Sequence, residues 1–203
     1  MRIGICGVSS TGKTTLTQDI AKLTGLPALL DKDLHPMAFR DMEQNGDAPR
    51  TKFFPDMTPE EMVKFERYVQ AARARVERQA RWAGPGGYVA DETPFDFLNY
   101  LYLTSAAHPK FMNEEEFEDL VKLQLSFIPW YDAIIYLPFG QLPIVDDQRR
   151  HTNRRLLQYW DFSLRGIIQE HTRGGNLTVH TMPHADRAAR LEFVQNLFSK
   201  FTV

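Results

Sequence analysis

Apolar positions along the chain fall into two alternating kinds of run. Five are short and almost continuously apolar, at residues 2–6, 28–31, 88–91, 133–137 and 177–180. That is the pattern of strands buried on both faces, not the alternation of a half-exposed sheet. Between them lie longer stretches of helical periodicity, at residues 13–23, 59–82, 94–106, 114–127, 148–171 and 185–201. Strands alternating with helices predict an α/β fold, a parallel sheet with helices on both faces. The stretch 59–82 is the best formed. Thr58 is placed to cap it, Pro59 suits a first turn, and Glu60 and Glu61 favour the positive end of the helix dipole. Met62, Phe65, Val69, Ala72, Val76 and Ala80 fall on one stripe that must face a core. Lys64, Arg67, Arg75 and Arg78 form a second stripe far round from it.

Length and composition then limit the function. A chain of 203 residues has room for one sizeable core, and it contains no repeat or long linker, so a single domain over 1–203 is expected. A hydrophobic share of 43% and a charged share of 25% are those of a globular domain. The formal charge of −2 argues against coating nucleic acid by charge alone. The one cysteine, Cys6, excludes a disulfide framework and a multi-cysteine zinc site. No apolar run approaches the roughly 20 residues of a membrane span, and the amino terminus enters a strand directly, so a soluble cytoplasmic protein is the expectation.

The chemistry is concentrated near the start. Gly7-Val8-Ser9-Ser10-Thr11-Gly12-Lys13-Thr14 fits G-x-x-x-x-G-K-[ST] without a mismatch, between an expected strand and an expected helix. Glycines let successive N–H groups curl inward around an anion, and the following helix terminus adds partial positive charge. Gly7, Ser9, Ser10, Thr11, Gly12, Lys13, Thr14 and Thr15 are therefore the expected contacts to a nucleoside triphosphate. Lys13 is placed to reach the β- and γ-phosphates, and the Thr14 hydroxyl to ligate Mg²⁺.

Ligands of parallel sheets bind beyond the carboxyl ends of the strands, and the polar residues at those ends are the further candidates. After the second strand, Asp33 is the first choice for a base that accepts an acceptor proton, and Asp31 the second. Asp91, ending the third strand, is the expected Mg²⁺ ligand alongside Thr14, and Glu92 follows it where an ATPase would orient water. After the fourth strand, Arg149, Arg150 and Arg154 lie in an arginine-rich segment, with Arg150 and Arg154 four apart on one expected helix face. Such guanidinium groups would steady a transferring phosphoryl group from a lid spanning about 139–158. Solvated loop residues and a solvated helix face are the plainer readings of these carboxylates and arginines.

Taken together, Gly7 to Thr14, Asp31 and Asp33, Asp91-Glu92-Thr93, the arginine segment and a late Met182-Pro183 with Arg190 resemble P-loop nucleoside and nucleotide kinases. Within these the chain is most similar to AAA-type ATP-binding domains related to ribosylnicotinamide kinase. The resemblance implies strand order 2-3-1-4-5, a lid carrying Arg149, Arg150 and Arg154, and adenine bordered by residues 181–185. It also implies a Mg·ATP-dependent transfer to a hydroxyl of a nucleoside-like or nucleotide-like small molecule. In that scheme Lys13, Asp33, Arg150 and Arg154 are the catalytic set. Two alternatives stand beside it: a kinase of hydroxymethylated bases within DNA, which the basic stripe of the 59–82 helix would suit, and a P-loop ATPase without transfer.

Overall fold

The apolar runs become five strands, β1 (Arg2–Cys6), β2 (Ala28–Leu29), β3 (Tyr88–Asp91), β4 (Ala133–Tyr136) and β5 (Val179–Thr181). All are paired in parallel, in the order β2-β3-β1-β4-β5. The computed structural model describes residues 1–51, 57–82, 86–107, 110, 112–144, 152–173, 175 and 177–199. Seven α-helices occur among them: α1 (Lys13–Thr24), α2 (Asp31–Gln44), α3 (Pro59–Trp82), α4 (Pro94–Ala107), α5 (Glu114–Phe127), α6 (Arg154–Thr172) and α7 (Arg187–Phe198). None is long and apolar enough to cross a membrane.

Successive strand side chains alternate between the two sheet faces, and each face builds its own core. Ile3, Ile5, Val89 and Ile135 pack with Leu16 and Ile20 of α1 and Val194 and Leu197 of α7. Cys6, Tyr88, Ala90, Ile134 and Tyr136 pack on the opposite side with Phe95 and Leu98 of α4 and Leu164 of α6. A third cluster joins Leu34, Ala38 and Met42 of α2 to Phe65, Val69 and Ala72 of α3. The expected α3 stripe is thus buried, and its start is capped as the sequence suggested. Thr58 Oγ1 accepts from the Glu61 N–H at 3.2 Å, and Glu61 accepts from the Thr58 N–H at 2.8 Å.

Two expectations change. Residues 28–31 do not form one strand: β2 stops at Leu29, and α2 begins at Asp31. Leu34, Ala38 and Met42, at four-residue spacing, bury that helix against α3 despite Pro36 inside it. Nor does one helix run unbroken from 148 to 171. Thr152 and Asn153 are not helical, and Asn153, extended at φ −68°, caps the first turn of α6 through N–H bonds from Arg155 and Leu156. Arg154 opens α6, and Arg150, expected on the same helix face, lies outside the described residues.

Candidate active site

A parallel sheet brings all its carboxyl ends to one edge, and β1, at its centre, delivers the loop of residues 7–12 there. Gly12 has φ +88°, and a Cβ on it would stand 2.9 Å from the Arg190 guanidinium, so only glycine fits. Gly7 donates its N–H to Asp96 Oδ1 at 2.9 Å, and Thr11 Oγ1 donates to the Val8 carbonyl at 2.8 Å. Ser10 takes a left-handed φ of +63°, at a cost of about 1–2 kcal/mol for a residue with a Cβ. Lys13 folds back to donate to the Gly7 carbonyl and pairs with Glu92 at 3.6 Å. Burial opposes its charge, but Glu92, Asp96, Asp91 and Asp31 together hold its pKa above the ordinary lysine value. The Thr14 hydroxyl donates to Asp91 Oδ2 at 2.5 Å, and Asp91 Oδ1 is buried without a partner.

Opposite the loop lies a second polar cluster. Arg73 of α3 reaches under the end of β3 and donates to the carbonyls of Glu92 at 2.7 Å and Asp91 at 3.2 Å. The same guanidinium faces Asp31 at 3.5 Å and the Glu92 carboxylate at 3.9 Å. Asp31 also meets His35 Nε2 at 3.0 Å, one helical turn on. Burial would raise the Asp31 pKa, yet His35, Arg73 and Lys13 pull it below the usual carboxylate range. Glu92 goes the other way, because burial and the neighbouring Asp31 lift it well above that range. Its backbone has φ +76°, a strained conformation that turns its side chain between Lys13 and Arg73.

A narrow cleft lies between α3 and α4, lined by Val63 and Glu66 of α3 and by Phe97, Tyr100, Leu101 and Thr104 of α4. Burial, with Asp31 nearby, pushes the Glu66 carboxyl up to about 8. Gln70 Oε1 is buried and completes no hydrogen bond, and the Tyr100 hydroxyl is buried beside Thr104.

The fold thus brings Gly7, Ser9, Ser10, Thr11, Gly12, Lys13, Thr14 and Thr15 together with Asp91. Asp33 it leaves aside: it is exposed on the first turn of α2, and Asp31 is the carboxylate turned toward the loop. Arg154 is exposed at the start of α6, and Arg149 and Arg150 lie outside the described residues. Within the basic stripe of α3, Lys64 pairs with Asp47 and Glu60, Arg67 with Glu116, and Arg75 with Asp41. Arg73, Glu66, Gln70 and Asp96 were missed. For Asp96 a local signal exists: Thr93 and Asp96 stand at capping-box spacing, and Asp96 accepts from the Thr93 N–H at 2.8 Å. Arg73, Gln70 and Glu66 have no such signal, since a buried polar residue on a helix reads like a solvated one.

No curated protein matches the chain by sequence. Among solved structures, a deoxyadenosine kinase from M. mycoides with bound dATP shares 17% identity, with 98% of this chain and 100% of that one covered, at a TM-score of 0.57. NadR protein in complex with NAD and AMP-PNP shares 15% identity at a TM-score of 0.57, covering 99% of this chain and 49% of that one. Both have the P-loop kinase fold seen here. The AAA-domain family matches residues 2–190, so the loop, the facing carboxylates and all five strands of the sheet lie within one family's pattern, and the chain belongs to that AAA-domain family.

Proposed function

We propose that the chain is a Mg·ATP-dependent kinase that transfers a phosphoryl group to a hydroxyl of a nucleoside-like or nucleotide-like small molecule. One observation carries this reading. A loop of phosphate-binding pattern with Lys13, Thr14 and Asp91 lies near a carboxylate, Asp31, that is held below the usual range and braced by His35 and the Arg73 guanidinium. The names of the similar structures, a deoxyadenosine kinase with dATP and NadR with AMP-PNP, support it.

The residues present fit a divalent cation at the loop. Asp91 has a buried oxygen with no partner, and the Thr14 hydroxyl lies against its other oxygen. A hydroxyl and a carboxylate are hard oxygen donors of the kind Mg²⁺ takes beside phosphate and water. When bound, Mg²⁺ neutralises charge on the β- and γ-phosphates.

The chain's own groups supply the rest. The loop amides and Lys13 hold the phosphate tail, and Lys13 exchanges the Gly7 carbonyl and Glu92 for phosphate oxygens. Asp31 accepts a hydrogen bond from the acceptor hydroxyl and orients its oxygen toward the γ-phosphorus. As the new O–P bond forms and the bond to the β-phosphate oxygen breaks, the hydroxyl proton passes to Asp31 and ADP leaves. His35 and Arg73 keep Asp31 ionised beforehand and fix its position. The low pKa of Asp31 suits a loose transfer in which positioning and electrostatics supply most of the rate. Arg149, Arg150 and Arg154 remain the arginines proposed to close over the transferring group. The cleft between α3 and α4 holds the body of the acceptor. The buried Tyr100 hydroxyl in its lining, with the unpartnered Gln70 oxygen one turn of α3 beyond Glu66, suits a flat ring bearing both donors and acceptors.

The test is γ-labelled ATP offered with nucleosides, nucleoside monophosphates, nicotinamide riboside and DNA carrying hydroxymethyl bases. Label moving to a small acceptor is the expected result. Release of inorganic phosphate alone, at a rate indifferent to every acceptor, would overturn it in favour of an ATPase.

A further inference from the structure

Arg190, on the first turn of α7, is buried at 4% exposure although it is an arginine. Its Nη1 donates to the Thr11 carbonyl at 2.8 Å, its Nε to the His184 carbonyl at 2.8 Å, and its Nη2 to Gln141 Oε1 at 2.9 Å. Gln141 in turn donates through Nε2 to the Met182 carbonyl at 2.8 Å. One guanidinium therefore joins the phosphate loop, the segment after β4 and the segment after β5. Every acceptor in that set is neutral. Burial lowers the Arg190 pKa, and among the described residues no carboxylate offsets it.

A buried cation without a counter-charge is costly, because desolvation is not returned by ion pairing. The other buried arginine of the site, Arg73, faces Asp31 and Glu92. Among the described residues Arg190 faces none, and it stands against Gly12, the glycine just before Lys13. A planar trans peptide points its C=O and N–H in opposite directions. Holding the Thr11 carbonyl against Arg190 therefore turns the Gly12 N–H away from it.

We propose that Arg190 is a positioning residue for the nucleotide: it presets the amide direction in the phosphate loop and leaves an unspent positive charge behind it that a bound polyphosphate completes. Through Gln141 and His184 the same group ties the loop to the two segments that flank it, so phosphate grip and those segments are set together. This deepens the reading of residues 7–15 as a triphosphate site and rests on it.

The test is calorimetry of Mg·ATP binding and steady-state kinetics on the full chain, comparing wild type with Arg190→Met, Arg190→Lys and Gln141→Glu. Arg190→Met is expected to raise the ATP Kd and KM more than threefold while kcat at saturating ATP stays within threefold, with Arg190→Lys recovering part of the affinity. Gln141→Glu gives Arg190 a carboxylate partner. It is expected to keep or raise Tm while weakening ATP more than threefold, and to weaken adenosine less. A structural role alone predicts the opposite for Gln141→Glu, full affinity in a protein at least as stable. Should Arg190→Met fail to fold, Gln141→Glu decides. Affinity within threefold of wild type in the folded variants would overturn the proposal. If wild type itself takes up no nucleoside triphosphate, the failure belongs to the reading of the loop, not to Arg190.

Discussion

Asp31 stands among His35, Arg73 and Lys13, whereas Asp33, two residues on, is exposed. Residues two apart on a helix differ by about 200° in direction, so one can face the phosphate loop only if the other does not. Asp31→Asn is therefore expected to lower phosphoryl transfer at least 100-fold and leave ATP affinity within threefold, while Asp33→Asn stays within twofold on both. Transfer assays beside calorimetry check this, and equal losses in the two variants would place the base elsewhere. Asp91→Asn is expected to raise the Mg²⁺ concentration for half-maximal activity at least tenfold, because it removes the charge from the carboxylate with the open oxygen. These residues also mark what was legible. Lys13, Thr14 and Asp91 could be read because a loop of fixed spacing and a strand end determine their places locally. The choice between Asp31 and Asp33 could not, because it depends on the phase of a helix whose start, at Asp31, the apolar pattern did not show.

At the scale of an element, α3 presents two buried stripes side by side. Phe65, Val69 and Ala72 face α2. Glu66, Gln70, Arg73 and Glu77, spaced by three and four residues, make a polar line from the cleft past the end of β3, at Arg73, to its first residue, Tyr88, at Glu77. Only the first stripe was legible, since hydrophobicity reports burial and polarity does not report exposure. Glu77 shows why the polar line persists. It is 2% exposed and accepts from Tyr88 at 3.1 Å and Tyr131 at 2.6 Å, beside Arg73. Glu77→Ala leaves two buried phenols unpaired and is expected to cost about 3 kcal/mol in denaturant unfolding. An exposed glutamate on the same helix should cost less than about 0.5 kcal/mol. The basic stripe that suited DNA is largely paired, through Asp47, Glu60, Glu116 and Asp41. Replacing Lys64, Arg67 and Arg75 by Gln is accordingly expected to leave transfer to a small acceptor within twofold. A loss above tenfold that appears only with DNA as acceptor would favour the DNA reading instead.

Across the whole molecule, the fold gathers carboxyl groups whose proton affinities move in opposite directions, and stability must follow pH accordingly. Asp19, Asp31 and Asp132 are held below their ordinary values by Arg187, His35 and Arg2, so their contribution is present at neutral pH and lost as pH falls through their folded pKa values. Glu66 does the reverse. Its folded pKa is about 8 against an ordinary 4.5, so between those values the folded chain keeps a proton that the unfolded chain has released. Stability then falls as pH rises from 4.5 to 8 and is level beyond. The groups facing Glu66 are Asp31, which strengthens the effect, His35 and Arg73, which oppose it, and Tyr100, itself raised by burial. His35 loses its own contribution as pH passes through its raised folded value, but it does so in wild type and variant alike. Glu66→Gln cannot titrate, so its stability relative to wild type is expected to rise by on the order of 2 kcal/mol from pH 4.5 to pH 8.5. Denaturant unfolding of the two proteins across that range checks it. Parallel curves would mean that Glu66 is ionised in the folded state at neutral pH, and a cleft with a standing negative charge would favour cationic acceptors over the neutral ring assigned to it.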